Sequence, residues 1–311
     1  MNNLVETMVN NIENKTIHID VILSGGAFNA IYLIGCLYFL KEMERKNKII
    51  IHRMSTCSAS SFVALFYLTN NLELFEKVYN MIVHNFKRNK KYIFSNEDVV
   101  TVFNLIETTL YDENGLTEYE ILKKVNYKLY ITYFDIKKCK RVVKNKYKSL
   151  DDIFETIKKS AHIPFITMNY ILYQNRYMDG WQPFIFTTNE NKQLFIDLLG
   201  IDKIKECIVL KNNIKNKHKI INGLRDAYSF FYQNGKHPTA MCSYLNDNNN
   251  ITFIMKFYSL YVFSYMLCMF LYLYVFFFRV PSYTIIHIYP VRMFLQTVKR
   301  IFYYFIEHYC L

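Results

Sequence analysis

A strand-turn-helix pattern occurs twice within the first 70 residues of this 311-residue chain. Residues 17–23 (IHIDVIL) form a β-type run that ends in the turn 24–26 (SGG), and a helical pattern follows over residues 28–45. Residues 49–56 are a second β-rich run, which leads through Ser58 into further apolar residues at helical spacing. Strands that alternate with helices predict an α/β domain whose mainly parallel sheet is covered by helices on both faces.

Further elements extend this pattern. Strands are predicted over residues 128–136, 170–178 and 207–211. Capping-box signals predict helix starts where Ser95 precedes Asp98, Thr117 precedes Glu120 and Ser149 precedes Asp152. No internal repeat is visible, so we expect one α/β domain over residues 17–250, preceded by a polar N-terminal extension over residues 1–16.

The character of the chain changes after the polar run 246–250. Residues 257–278 contain no charge over 22 positions and lie between Lys256 and Arg279. A helix needs about 20 apolar residues to cross a bilayer, so this stretch predicts a transmembrane or membrane-inserted helix. Its tyrosines are not confined to the ends, which leaves a tilted or hairpin insertion open. Residues 279–311 then predict an amphipathic or interfacial tail, with a second partial insertion as the alternative.

Charge and cysteine content limit the partners of the domain. The net charge is +12, with basic runs at 87–91, 137–141 and 211–219 that predict either a solvated face or attraction to anionic lipid headgroups. These runs are scattered and accompany no nucleic-acid-binding module, so no nucleic-acid partner is expected.

Seven cysteines without a CxxC pair support neither a disulfide framework nor a zinc site. The N-terminus contains Glu6 and Glu13 and does not resemble a signal peptide, so we expect a reducing, cytosolic compartment for the domain.

Three short motifs are candidates for chemistry. The turn Ser24-Gly25-Gly26-Ala27 joins a strand to a helix, where backbone N–H groups hold anions or oxyanions, and no Gly-Lys-Ser/Thr follows to make it a phosphate loop. Thr56-Cys57-Ser58-Ala59-Ser60 lies at a second strand-helix junction, as a nucleophile elbow does. Asp179-Gly180 follows a predicted strand. Each motif alone is also an ordinary turn or helix start.

Taken together and in this order, the motifs resemble the patatin-like phospholipase family, over about residues 17–210. The family's glycine-rich oxyanion turn corresponds to residues 24–37, and its Gly-x-Ser-x-Gly elbow corresponds to residues 56–65. Its Ala-Ser-x-x-x-Pro segment corresponds to residues 158–164, and its Asp-Gly corresponds to residues 177–180. The order of Phe28 and Ile31-Tyr32 is similar to the branch that contains animal triglyceride lipases.

The resemblance implies a three-layer α/β/α fold and a serine lipid acyl hydrolase that cleaves fatty-acyl esters of membrane phospholipids or neutral glycerides. It implies Ser58 as the nucleophile, Asp179 as the base, and backbone N–H groups of Gly25, Gly26 and Ala27 as the oxyanion hole. No metal or organic cofactor is required. A histidine triad with His18, His52 or His162 is possible in principle, whereas the family uses a Ser-Asp dyad.

The chain departs from the family at four positions where glycine is usual. Ala27, Ala30, Thr56 and Ser60 replace it, and a side chain at a tight or left-handed position costs on the order of 1–3 kcal/mol. We therefore keep a second hypothesis from another class: a catalytically impaired membrane protein on the same fold that binds lipid or organises a membrane.

Overall fold

The computed structural model describes most of the α/β region. The described residues are 2–89, 95–164, 167–168, 170–187, 190–200, 203–207 and 216–245, with the isolated residues 262, 266, 270, 293, 297, 300 and 304.

One mixed sheet organises the fold. Its strands are β1 (Ile17–Leu23), β2 (Ile49–Cys57), β3 (Leu129–Asp135), β4 (Lys140–Lys144), β5 (Tyr177–Asp179), β6 (Lys192–Ile196) and β7 (Cys242–Tyr244). The strand order is β4-β3-β2-β1-β6-β7, and β5 also pairs with β3. The central strands β3, β2, β1 and β6 run parallel, whereas β4, β5 and β7 are antiparallel to their neighbours. The prediction of a mainly parallel central sheet is confirmed.

Eight helices are described around this sheet: α1 (Asn2–Asn10), α2 (Ala30–Arg45), α3 (Ser60–Leu68), α4 (Leu72–Asn89), α5 (Asn96–Thr108), α6 (Glu118–Val125), α7 (Leu150–Ser160) and α8 (Asn216–Tyr232). The capping boxes predicted at Ser95 and Thr117 are both formed. Ser149 caps α7 through the N–H of Asp152, but the Asp152 carboxylate bonds Lys148 rather than closing a box. These local signals therefore set where three helices begin.

The main core lies on one face of the sheet. Ile19, Val21 and Leu23 alternate along β1 towards this core, to which every described helix contributes buried side chains. Ile22 points to the opposite face, where it forms a smaller cluster with Phe186 and Phe195. The described residues thus establish a mixed α/β fold around a mostly parallel sheet. The predicted cover of helices on both faces is not seen among them, because every described helix packs into the core on one face.

Helices α2 and α8 cross in backbone contact. A Cβ added at Gly35 would lie 1.8 Å from the carbonyl oxygen of Ile220, and one at Gly223 would lie 2.0 Å from that of Tyr32. No side chain larger than hydrogen fits at either position. The two glycines therefore fix α8 against the helix that follows the oxyanion turn.

Helix α1 lies within the predicted N-terminal extension. Its residues Val5 and Val9 are buried in the main core, as is Ile12 just beyond it. The amine of Lys48 donates hydrogen bonds to the carbonyl oxygens of Val9 and Ile12. Residues 2–12 therefore share the core of the α/β domain.

Two strand predictions were wrong in extent or type. Within 170–178 only residues 177–178 are strand, and they belong to β5, because the residues before them form turns closed by the Tyr173–Tyr177 bridge. Cys207 ends a 3-10 helix over Ile204–Cys207, and residues 208–211 lie outside the described residues. Strands β4, β6 and β7 were not predicted.

The predicted membrane segment 257–278 lies outside the described residues, apart from Val262, Met266 and Phe270, which are helical and exposed. Within the portion of the chain that the structure describes, no helix is long and apolar enough to cross a membrane.

Candidate active site

Ser58 occupies a strained turn between β2 and α3. Its φ is +59°, in the left-handed region that non-glycine residues rarely adopt. The residue is buried, with 6% of its surface exposed. A serine in this conformation between a strand and a helix has the geometry of a nucleophile elbow.

The backbone of the elbow is held by Ser160, the last residue of α7. The Ser58 N–H donates to Ser160 Oγ over 2.9 Å, and the Ser160 hydroxyl donates in turn to the carbonyl oxygen of Thr132 over 2.6 Å. All three residues are buried, so neither bond competes with water. Ser160 thereby connects the nucleophile turn to β3, the strand that pairs with β5.

Asp179 lies beside Ser58. The Ser58 side chain interacts with the Asp179 carboxylate and lowers its pKa, and the Trp181 N–H donates a hydrogen bond to Oδ1 over 2.8 Å. Burial has the larger effect and raises the pKa of Asp179 to about 6, against the opposing effect of these two groups. The carboxylate is thus buried, oriented, and more basic than an exposed aspartate.

Gly180 allows β5 to approach this edge of β3. A Cβ at this position would lie 2.5 Å from the carbonyl oxygen of Thr132, the same atom that accepts the Ser160 hydrogen bond. The close contact explains why glycine follows the base. Ser58, Ser160 and Asp179 therefore meet around Thr132 of β3.

The turn 24–27 borders the nucleophile. A Cβ at Gly25 would lie 3.3 Å from Ser58 Cβ, and one at Gly26 would lie 2.5 Å from Leu198 Cβ. The Gly25 backbone interacts with the Cys57 thiol and lowers its pKa, against the larger raising effect of burial. The N–H groups of Gly26 and Ala27 make no hydrogen bond to any described residue, which leaves them as donors for an oxyanion.

Only one of the four glycine replacements is strained. Ala27 has a φ of +42°, whereas Ala30, Thr56 and Ser60 are absent from the left-handed region. The prediction of strain at those three positions was wrong, because Thr56 lies in β2 and the other two lie in helices. The Ser60 hydroxyl also accepts the Cys57 N–H over 3.2 Å and donates to the Cys57 carbonyl over 2.7 Å.

The histidines do not complete a triad. His18 and His52 stack on each other with ring centroids 5.0 Å apart, on the first halves of β1 and β2. His162 bonds the Ile171 carbonyl through Nε2 and Thr167 Oγ1 through Nδ1, at 3.1 and 3.3 Å. Burial lowers the pKa of His162 to about 4, so this ring is neutral. Among the described residues, the groups that interact with the side-chain oxygens of Asp179 are Ser58 and the Trp181 N–H, and no histidine is one of them.

An apolar cavity of about 180 Å³ lies beside Ser58. Its walls near the nucleophile are Ala27, Ala59 and His162. Its remaining walls come mainly from aliphatic and aromatic side chains of α3, α4 and α5, including Phe62, Phe75, Val78, Ile82, Val102 and Phe103. An extended hydrocarbon chain fits such a lining, whereas a polar substrate finds few partners there.

Sequence reasoning identified Ser58, Asp179 and the glycine turn but assigned no role to several neighbours. Ser160 was noted only as part of a segment, and its bonding to Ser58 depends on two residues 102 positions apart. The Ala59 N–H, at the residue after Ser58, is a further candidate oxyanion donor by its position in the elbow.

No described group of three or more His, Cys, Asp or Glu side chains is arranged to hold a metal ion.

Comparison with known proteins gives no relative: no family model, no curated protein and no solved structure matches this chain.

Proposed function

We propose that the protein is a serine ester hydrolase that works through a Ser58–Asp179 dyad. The observation that carries the proposal is the left-handed turn at Ser58, whose side chain lies beside the buried carboxylate of Asp179. A nucleophile and a base side by side are the arrangement that acyl-enzyme chemistry requires. Within this class, we assign the chain to the patatin-like lipid acyl hydrolases on the ordered motifs described above.

The mechanism follows from the positions of these groups. Asp179 takes the proton of Ser58 as its oxygen attacks the ester carbonyl carbon. The N–H groups of Gly26 and Ala27 stabilise the negative charge that develops on the carbonyl oxygen. Protonated Asp179 then donates to the leaving alcohol, and the acyl group remains on Ser58. Water, deprotonated by Asp179, releases the fatty acid and regenerates the serine.

The raised pKa of Asp179 supports its role as the base. A general base is most effective when its pKa lies near the working pH. A carboxylate with a pKa of about 6 is ionised at neutral pH and still accepts a proton more readily than an exposed aspartate. The dyad can therefore operate without a histidine.

The substrate class follows from the cavity and the sequence. The apolar cavity beside Ser58 suits a fatty-acyl chain. The apolar stretch 257–278 and the net charge of +12 favour a membrane-attached protein on an anionic surface, with the catalytic domain in the cytosol. We therefore propose membrane phospholipids first, and neutral glycerides second, as substrates.

Ala27 favours the second candidate function, an impaired hydrolase that binds lipid. Its φ of +42° places strain in the oxyanion turn, where small displacements of donors reduce the rate sharply. Against this candidate, both Ser58 and Asp179 are retained and their side chains interact with each other.

Fatty-acid release from phospholipid vesicles tests the proposal. Ser58→Ala and Asp179→Asn should each lower the rate by at least about 10³-fold, as loss of a nucleophile or its base does. Ser229→Ala, in α8, is the matched control and should keep the wild-type rate. A folded wild-type protein that releases no fatty acid from any lipid ester would favour the lipid-binding candidate instead.

A further inference from the structure

The cavity opens at an edge of the molecule where apolar side chains reach the surface. Ser58 follows the carboxyl end of β2 and Gly25 that of β1, so the cavity lies at the carboxyl edge of the parallel strands. Several of its lining side chains are only partly buried, among them Ile82, Val99 and Ile163. The lining of the cavity therefore continues onto the surface of the protein.

Two exposed side chains extend this apolar edge. Val100 is 56% exposed and lies on α5 between the lining residues Val99 and Val102. Tyr170 is 40% exposed, stacks on the lining residue His162, and donates a long hydrogen bond to Asn96 at the start of α5. A valine and a tyrosine beside a cavity mouth suit an interface between an apolar phase and water, because the tyrosine has an apolar ring and a polar hydroxyl group.

Basic residues border the same edge. Lys87 and Arg88 are exposed in the last turn of α4, directly after the lining residue Phe86. Of the nearby acids, Asp98 is already engaged, because it accepts hydrogen bonds from Ser95 and from Asn85 of α4. Glu97 is the exposed acid of the same turn. We call Lys87, Arg88, Val100 and Tyr170 the cavity rim.

We propose that the cavity rim docks on an anionic phospholipid membrane, with Val100 and Tyr170 in the interface and Lys87 and Arg88 against the headgroups. Exposed apolar side chains next to cations are the combination that binds such a surface. Docked in this orientation, the cavity opens towards the acyl chains, so an ester need not cross water to reach Ser58. The benefit of this docking rests on the proposed function, because it brings an ester to Ser58. The experiment below does not depend on hydrolysis.

Tryptophan fluorescence locates the face that meets the membrane. The chain contains one tryptophan, Trp181. Its fluorescence is measured in the Ser58→Ala protein without an added tryptophan and is subtracted. Val100→Trp is compared with Tyr127→Trp, which is 59% exposed before β3 and hence at the opposite edge of the sheet. Both are made in full-length Ser58→Ala protein, so no lipid is hydrolysed. The vesicles contain phosphatidylcholine and phosphatidylserine with brominated acyl chains, which quench nearby tryptophan.

The rim proposal expects loss of fluorescence from Val100→Trp and none from Tyr127→Trp. Equal quenching of the Val100→Trp and Tyr127→Trp proteins, or no quenching of Val100→Trp, would overturn the docking of the cavity rim. This conclusion would hold even if another segment attaches the chain to the vesicle. Equal quenching by phosphatidylcholine vesicles alone would overturn the requirement for anionic lipid. Because hydrolysis is absent from the assay, failure of the enzyme proposal leaves these outcomes unchanged.

A charge-reversal pair tests the basic part of the rim. Lys87→Glu with Arg88→Glu should raise the lipid concentration for half-maximal quenching of Val100→Trp by at least about tenfold. Lys123→Glu with Lys124→Glu, at the end of α6, changes the net charge equally but lies near Tyr127. An equal effect of both pairs would show a dependence on net charge only and would contradict the assignment to the rim.

Discussion

Asp179 lies in an environment unlike that of an exposed aspartate, because its side chain is buried. Burial raises its pKa from 3.8 to about 6, so the folded protein holds a proton there that the unfolded chain has lost. Between these pH values the folded state binds more protons than the unfolded state, and this group therefore makes stability fall as pH rises. Above about pH 6 the ionised carboxylate costs about 3 kcal/mol.

Asp179→Asn should therefore stabilise the protein at neutral pH while abolishing hydrolysis. The gain in the free energy of unfolding should grow from about pH 4 to about pH 6 and then level off at about 3 kcal/mol. Denaturant unfolding of both proteins across this range measures it. A variant that is less stable than wild type at neutral pH would show that the hydrogen bonds of the carboxylate outweigh its burial.

Asp135, two residues beyond the partner of Asp179 on β3, provides a control of opposite sign. Burial raises its pKa, but the hydrogen bonds and charge of Arg176, with a smaller contribution from Lys138, lower it overall. A lowered pKa contributes stability that is present above the unfolded value and is lost as pH falls through the folded value. Asp135→Asn should thus destabilise the protein at neutral pH.

Ser160 acts as a positioning residue, because it touches the Ser58 backbone and not the reacting atoms. Ser160→Ala leaves the Ser58 N–H and the Thr132 carbonyl without this partner, at about 1–3 kcal/mol of stability. We expect kcat to fall by about 10-fold to 100-fold with little change in KM, since a displaced nucleophile affects the transition state.

Ser160→Thr retains the hydroxyl and should recover part of kcat. Steady-state kinetics of the two variants on a soluble short-chain ester separate the contributions. Proportional loss of folded protein and activity, with kcat per folded molecule unchanged, would contradict a positioning role.

Among the elements of the fold, the turn over residues 24–27 contains one residue that packs well, Gly26, and one whose backbone is strained, Ala27. Gly26 fits beneath Leu198, whereas Ala27 adopts a φ of +42° that glycine tolerates better. Ala27→Gly should stabilise the protein by about 1 kcal/mol in denaturant unfolding, because relief of left-handed strain exceeds the added flexibility of the unfolded chain. Activity should stay equal or rise.

Ala30→Gly is the matched control three residues later. Ala30 has a φ of −55° at the start of α2, where glycine only adds backbone freedom. This variant should destabilise the protein by about 1 kcal/mol. If both substitutions had the same sign, the strain assigned to Ala27 would be refuted.

Elements with local signals were predictable from the sequence, and those set by tertiary pairing were not. The strands β1, β2 and β3 are long apolar runs, and α5 and α6 begin at capping boxes that need only residues three apart. In contrast, β5 and β7 are three residues long and exist because β3 and β6 offer them an edge. Their sequences carry no periodicity that distinguishes them from loops.

At the scale of the whole molecule, the sheet topology assembles the candidate site. The turns after β1 and β2 meet because these strands are parallel neighbours, and β5 brings Asp179 back opposite Tyr133 of β3. The family resemblance singled out Ser58 and Asp179 as a proposed nucleophile and base, but it did not predict the shared contact of Ser160 and Gly180 with Thr132. That contact joins residues far apart in the chain, which no local pattern encodes.

Attachment to a membrane is the prediction that concerns the chain as a whole. The full-length protein should stay with membranes after an alkaline carbonate wash, because residues 257–278 contain no charge. Met266→Arg with Phe270→Arg should release it, since each arginine opposes insertion by about 2.5–3.5 kcal/mol. Fractionation of the washed membranes measures the outcome. A wild-type protein that the wash releases would contradict insertion.

Labelling with a serine-reactive fluorophosphonate tests the dyad most directly, because it reports the nucleophile without any assumption about the substrate. We expect that the wild-type protein gains one phosphonyl group, that the modified peptide contains Ser58, and that Ser58→Ala is not labelled. The labelling rate should rise with pH as Asp179 ionises, with a midpoint at about pH 6, and Asp179→Asn should react far more slowly. A folded wild-type protein that remains unlabelled, or that is labelled only at another residue, would contradict the assignment of Ser58 and Asp179 as a working pair.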